Sequence, residues 1–389
     1  MKIMLVYLSA MLAIIVTLSS NTDCLAQTAR TLPTPNYFRS FARFHEADYR
    51  DAARDFRNAS SSAYRLGNQR YVDSICYWTM QAECFYHMGN YAEAITLYEQ
   101  ALNLYVDHQN GNWQNRIHTQ AINVQNDRTA AARARITWGT SNRIKGVANV
   151  SDTFQVRFGD LDVVGKLQQG GVVQDAELRQ VFVTEIMRCV SLCLHRRRII
   201  KGPTAKIDPL TSRLVSGLQK GIRGDGSVLG SYNGVCLGIA YASQEEWGKA
   251  QQILSRSLTL SGGLDHTLTA IGLLELAYIG LELENDSTAA TLAFEASYSA
   301  AIFDQYDLVA EALSVGTMLH LKSNRSVYPP LNNSIAWARS NDANLMEANS
   351  IVRLAECLSE SGQLNLSQQT LRQTSQVINR RNTLAQSVI

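Results

Sequence analysis

Residues 75–108 read ICYWTMQAECFYHMGNYAEAITLYEQALNLYVDH, and this stretch decides the fold. Apolar side chains recur at three- and four-residue intervals on both sides of Gly89-Asn90, which predicts two helices meeting at a short break. A break of that length returns the second helix antiparallel to the first. Ala82 and Ala94 then face one another across the hairpin, where only a small side chain lets two helix axes approach to about 8–10 Å. Trp78, Phe85, Tyr91 and Tyr98 are read as the rings that fill the space around that contact, each covering about 150–250 Å². One hairpin cannot cover its own outer face, so the pattern predicts stacked neighbours on both sides.

The spacing resembles that of the tetratricopeptide repeat (TPR) family. Trp78, Ala82, Phe85, Tyr91, Ala94, Tyr98 and Ala101 stand at the family's signature positions. Val106 replaces the closing proline, so the second helix is expected to run on. The resemblance implies an all-α solenoid of helical hairpins whose concave groove, lined by the first helix of each hairpin, takes peptide ligands. Carried over, the groove positions hold Cys76, Thr79, Glu83 and Tyr86 here. They hold Gly272, Glu275, Ile279 and Glu282 in a unit from Ile271, and Asn349, Arg353 and Glu356 in one from Ala348. The Lys and Asn pattern with which some members clamp a C-terminal carboxylate is missing.

Fainter copies extend outward. Before the quoted stretch, Tyr37, Phe41 and Phe44 suit a first helix and Tyr49, Ala52, Phe56 and Ala59 a second, which is expected to run to Gly67-Asn68. Beyond Ser231, Gly238, Tyr241, Trp247, Ala250, Leu254 and Leu258 describe a hairpin split at Gln244 to Glu246. The unit from Ile271 carries Tyr278 at the small position, Val309 to Leu321 reads as a further helix, and Tyr328-Pro329-Pro330-Leu331 reads as an interruption. A last hairpin turns at Ser361-Gly362. Between the two arrays, 109–174 departs from helical spacing, with short strands expected at Ile136 to Gly139 and Phe154 to Phe158. Asp175 is read as the N-cap of a helix through Leu178, Phe182, Ile186, Val190 and Leu194, followed by one from Asp208 with Pro209 at its first position. The chain thus divides into a leader at 1–26, TPR-like repeats at 27–108, an irregular insertion at 109–174, a helical connector at 175–230 and TPR-like repeats at 231–389. The whole resembles exported bacterial TPR proteins with an irregular middle segment.

The leader rests on Lys2, the apolar run Ile3 to Leu18 and the small residues of Cys24-Leu25-Ala26, which together read as a signal peptide. Cleavage before Gln27 and export to the periplasm or beyond are expected; the alternative is an uncleaved anchor, which would be the sole membrane association. With 46% hydrophobic and 18% charged residues and a net charge of +2, the chain is of ordinary globular composition, with no general argument for nucleic acid as a partner. Of seven cysteines, Cys24 falls in the leader and the others are read as buried free thiols.

No stretch carries a catalytic motif: GxSxG, HExxH and SxxK are all missing. Cys189-x3-Cys193-x-His195 has two thiols one turn apart, but no second pair matches it, and core packing is expected rather than metal. Arg196, Arg197, Arg198 and Lys201 suit either an anionic partner or, as we read them, the C-terminal end of a helix dipole. Gly159 to Leu167 has the wrong spacing for a phosphate loop, and Arg223-Gly224-Asp225 reads as a turn. Asp160, Asp162 and Glu177 are carboxylates of a solvated loop. These readings predict no cofactor and no metal, and a non-catalytic scaffold or adaptor of the bacterial envelope. It would bind protein or peptide partners along Thr79, Glu83, Tyr86, Glu275, Glu282 and Arg353. The alternatives are an enzyme or regulatory subunit with its site on Arg135 to Leu167, and a purely structural envelope component.

Overall fold

A computed structural model of the chain describes residues 31–66, 68–110, 113–117, 125–126, 148–158, 177–221, 227–260, 263–323, 325–341 and 344–386. The N-terminal arm contains α1 (Pro35–Arg39), α2 (Phe41–His45), α3 (Tyr49–Ala59), α4 (Ser74–His87) and α5 (Tyr91–Asn110). The middle contributes α6 (Val183–Lys201) and α7 (Pro209–Gly221). The C-terminal arm runs through α8 (Val228–Ser243), α9 (Trp247–Ser257), α10 (Thr269–Glu282), α11 (Asp286–Ile302), α12 (Tyr306–Lys322), α13 (Tyr328–Ser340), α14 (Asn344–Glu360) and α15 (Leu364–Gln386). Consecutive helices pack on one another along each arm, except that α12 packs on α14 rather than on α13, and the whole is the all-α solenoid of hairpins that the repeat spacing predicts.

The quoted stretch is the α4–α5 hairpin. Ala82, Ala94, Tyr98 and Ala101 are fully buried, Trp78 and Phe85 are half-buried against the core, and Arg70 places its guanidinium 5.4 Å from the Trp78 ring. Tyr91 departs from expectation. It opens α5 immediately after the turn, is 52% exposed and touches Tyr86 edge-on, so it adds little to the hairpin core. The α8–α9 hairpin shows the small-residue rule at Gly238, where an added Cβ would lie 2.4 Å from Leu254 Cγ.

Among the described residues, six interhelical turns repeat one conformation. Ala47, Gly89, Glu245, Glu284, Asp304 and Gly362 each take a positive φ. The next residue's N–H reaches back five positions, as in Asp48→Arg43 (3.0 Å), Asn90→Phe85 (2.8 Å), Asn285→Gly280 (2.8 Å) and Gln305→Ala300 (2.9 Å). This is the Schellman motif, and the residue that closes it is also the N-cap of the next helix. Two of these caps use their side chains, Asp48 Oδ1 accepting from Asp51 N and Asn285 Oδ1 from Thr288 N, both at 3.4 Å. At Gly89, with φ +76 and nothing within 4 Å of an added Cβ, any cost of substitution is backbone strain alone. Gly89→Ala should therefore lower unfolding free energy by about 1–2 kcal/mol, read by urea denaturation; an unchanged midpoint would mean that the turn relaxes.

Three expectations are corrected. The second helix of the first unit does not run to Gly67-Asn68; α3 stops at Ala59, and β2 (Arg65–Leu66) pairs antiparallel with β3 (Gln69–Arg70), because Asp73 accepts from Tyr64 N at 3.0 Å and ties the hairpin to α4. An equivalent hairpin, β8 (Thr259–Leu260) with β9 (Leu264–Asp265), joins α9 to α10. The helix expected from Asp175 does not run through Leu178 and Phe182: β7 (Glu177–Val181) lies between β1 (Thr31–Leu32) and β6 (Phe154–Phe158), and the helix starts only at Val183, Asp175 itself lying outside the described residues. Pro329 and Pro330 do not interrupt the array but sit in the first turn of α13, where a missing N–H costs nothing. The strand expected at Phe154 to Phe158 is present with those bounds. A short pair, β4 (Gln125–Asn126) with β5 (Ala148–Asn149), is the other described part of the insertion's sheet structure. The leader, Ile136 to Gly139, Gly159 to Leu167, Asp160, Asp162 and Arg223 to Asp225 lie outside the described residues.

Candidate functional site

The groove positions of the two arms are occupied from within. Helix α6 packs against α4, α5, α8 and α10, and thirteen of its nineteen residues, from Val183 to Arg197, are buried. A helix buried on all sides is a core helix, and here it carries charge into the core. Thr79, Glu83 and Glu275, expected to face a ligand, are each 0% exposed beneath it. Thr79 Oγ1 lies 3.1 Å from Cys193 Sγ, and Tyr86 has the Arg196 guanidinium 4.4 Å from its ring centre. The two remaining groove residues stand apart: Glu282 is exposed at the end of α10, and Arg353 pairs with Glu356 on its own helix at 2.6 Å.

The basic run is correspondingly not a surface dipole cap. Successive side chains on a helix diverge by about 100°, so neighbours in sequence reach different partners. His195 sits between two carboxylates, with Nδ1 on Glu275 and Nε2 3.0 Å from Glu311. Arg196, 1% exposed, bridges Glu83 (3.3 Å) and Glu311. Arg197 pairs with Glu99 (3.2 Å) and Asp208 (2.8 Å), and Arg198 with Glu275 (2.9 Å). Tyr98 and Tyr278 complete the shell by donating to Glu83 and Glu311. Burial alone would raise the Glu311 pKa, but Arg196 and His195 outweigh it and hold the carboxyl well below its usual range. Glu275 is likewise lowered against its burial by Arg198 and His195. Burial alone would lower His195, but Glu311 and Glu275 outweigh it and raise it. With both ring nitrogens and Cys193 engaged, the Cys189-x3-Cys193-x-His195 run serves the helix core, although the surroundings of His195 are ionic rather than apolar. Cys76, Cys84, Cys189, Cys193, Cys236 and Cys357 are free and buried.

What stays open is a cleft of about 780 Å³ between the N-terminal helices, the start of α6 and the α11–α12 turn. One wall is aromatic, with Phe38, Phe41, Phe44 and Tyr49 on α1–α3 and Phe182 at the start of α6. Tyr37 fixes that wall from behind: fully buried, it contacts Phe38, Phe41, Phe56 and Tyr77 at 5.1–5.6 Å and donates to Glu185 of α6. Such aromatic pairs contribute about 0.5–1.5 kcal/mol each beyond area burial. Phe38 is nonetheless 38% exposed. The opposite wall is acidic and comes from the α11–α12 turn, with Asp304 and Asp307, and from Asp152 just before β6. Burial, followed by the Asp307 carboxylate, raises the Tyr49 phenol, so the two walls face each other within electrostatic reach. Burial and then Glu185 raise Asp152. Among the described residues the cleft has one guanidinium, Arg188, which is engaged by Glu185 through bonds of 2.7 and 2.8 Å. None of these cleft residues was anticipated except Asn349, because they come from four separated segments. The separate hints were the ring spacing of Tyr37, Phe41 and Phe44 and the turn before Val309.

Helical hairpins stacked in two arms around a filled groove define a helical-repeat protein. Residues 76–108 match the tetratricopeptide repeat family. Similar solved structures include the apo form of RapI, at 13% identity and a TM-score of 0.35, covering 90% of this chain and 98% of that one. Another is the Rap conjugation gene regulator of plasmid pLS20 in complex with the Phr* peptide, at 10% identity and a TM-score of 0.37, covering 90% and 74%. A third is a signal-transduction ATPase with a tetratricopeptide repeat sensor from Pyrococcus horikoshii, at 10% and 0.34, covering 91% of this chain and 42% of that one. No curated protein matches the chain.

Proposed function

We propose that this chain is a non-catalytic interaction scaffold or adaptor that takes a protein or peptide partner in the cleft between α1–α3 and the α11–α12 turn. The observation that carries the reading is the contrast between the two concave surfaces. Thr79, Glu83 and Glu275 are buried under α6, whereas the cleft is open, about 780 Å³, and walled by rings of which Phe38 keeps 38% exposure. A volume in that range suits a short segment of a partner. The tetratricopeptide repeat supports a binding role, since repeat arrays offer rigid extended surfaces. The leader features Lys2, Ile3 to Leu18 and Cys24 to Ala26 support a site of action in the bacterial envelope.

A photo-crosslinking amino acid placed at Phe38 in cells that make the protein tests this. One protein should be trapped at Phe38 in good yield, identified by mass spectrometry, and bound again by the purified chain. The same probe at Asp107, more than half exposed on α5, should trap none above background. Equal trapping at both positions would end the reading.

A further inference from the structure

We infer that the cleft selects a positively charged segment: a Lys or Arg of the partner lays its methylenes on the Phe38, Phe41 and Phe44 wall and directs its cation at Asp152, Asp304, Asp307 and Gln305. The inference rests on the cleft being the binding site and adds the chemistry of what enters. Among the described residues, four carboxylates line the cleft against one guanidinium and the imidazoles of His45 and His87, and that guanidinium is engaged by Glu185. The net field in the cleft is therefore negative on a chain whose overall charge is +2, so the attraction is local to this site.

A second observation is independent of charge. Gln305, 5% exposed and lining the cleft beside Asp304, donates through Nε2 to Thr267 O at 2.7 Å but leaves its buried Oε1 with no hydrogen-bond partner. A buried acceptor left unpaired is costly, and a donor that reaches it from the cleft recovers the bond. The α12 dipole explains an acid at Asp307, near the first turn of that helix. It explains neither Asp152, which belongs to the segment before β6, nor the unpaired Gln305 Oε1. The carboxylates and the unpaired Gln305 Oε1 of the acidic wall are acceptors, and the facing wall offers ring faces. A guanidinium or ammonium on an apolar stem is the side-chain chemistry that satisfies both.

The test uses the full chain and three fluorescein-labelled nonapeptides alternating Leu with Arg, with Glu or with Ser, followed by fluorescence anisotropy. The Arg peptide should bind at least about tenfold more tightly than the other two. Asp304→Asn combined with Asp307→Asn should remove about tenfold of that affinity, with Glu356→Gln on α14 as an unaffected control. Asp152→Asn alone provides a second variant should the double variant lose helicity. If all three peptides bind alike and Phe38→Ala weakens each of them, the charge inference falls while the cleft reading stands. If none binds, the charge inference also falls, and a Phe38 crosslinker that traps nothing removes the cleft reading with it. Affinity for the Arg peptide unchanged in every Asp variant overturns the inference outright.

Discussion

Arg196→Met should destabilise the fold by about 3–5 kcal/mol, the range for removing one partner of a buried ion pair. The guanidinium is 1% exposed and pairs with Glu83 of α4 and Glu311 of α12, so its loss leaves two buried carboxylates facing an apolar stem. Glu311 keeps His195 and Tyr278, and Glu83 keeps Tyr98, which limits the damage but does not replace the charge. Met fills most of the space of the Arg stem, so the expected loss is electrostatic rather than a cavity. Adding Glu83→Gln to Arg196→Met should then recover a large part of the loss, because His195 and Arg198 still balance Glu275 and Glu311 and no net charge remains stranded. Urea denaturation of the single and double variants measures both halves. A single-variant loss below about 1 kcal/mol would show that water reaches the network and screens it. The consequence reaches function: the same bonds seat α6 between the arms, so weakening them should open the groove positions Thr79, Glu83 and Glu275.

The hairpins were legible because their determinants are local. The Gly89-Asn90 and Ser361-Gly362 turns, the small residues at Ala82 and Gly238, and the run at Phe154 to Phe158 each show within a few residues what the backbone must do. Where the pairing is remote, the reading failed. Leu178 and Phe182 are spaced for a helix as well as for an extended run, and what decides between them is a strand partner at Phe154 to Phe158 and another at Thr31–Leu32. The groove is the larger instance. Glu83 and Glu275 were read as ligand-facing groove positions, and the three arginines at 196–198 as the complement of a helix dipole. Which acid meets which base depends on a helix from the connector returning between the arms, and no periodicity encodes that. The cleft is assembled from side chains on α1–α3, α6 and the α11–α12 turn, and no single stretch carries its signature.

His195→Gln should cost most at mildly acidic pH and least at alkaline pH. In the fold the imidazole pKa stands above its ordinary value, since the Glu311 and Glu275 carboxylates outweigh the opposing effect of burial. A raised pKa means that the charged ring stabilises the fold fully below the ordinary value near about 6.5, and that this contribution is lost as pH rises through the folded value. Glu275 and Glu311 work in the other direction: their folded pKa values are lowered, so their contribution is present above the ordinary carboxylate range and lost as pH falls through the depressed values. The three groups together give the wild-type protein a stability plateau on the acid side of neutrality with a decline toward alkaline pH. Burial raises Asp73 to about 7, and the same linkage makes it add a decline of its own between the ordinary carboxylate range and about pH 7, flat above that. Because Asp73 is unchanged in the variant, the diagnostic quantity is the difference between wild-type and His195→Gln unfolding free energies. At pH ~6 that difference should be about 3–5 kcal/mol, as for a buried pair that loses its cation. Once the pH has risen through the folded imidazole value it should shrink, because the wild-type ring itself gives up the proton that Gln cannot carry. Urea titrations below and above that value decide the matter, and a difference that stays constant between them would mean that His195 holds α6 by hydrogen bonds alone, with no charge on the ring.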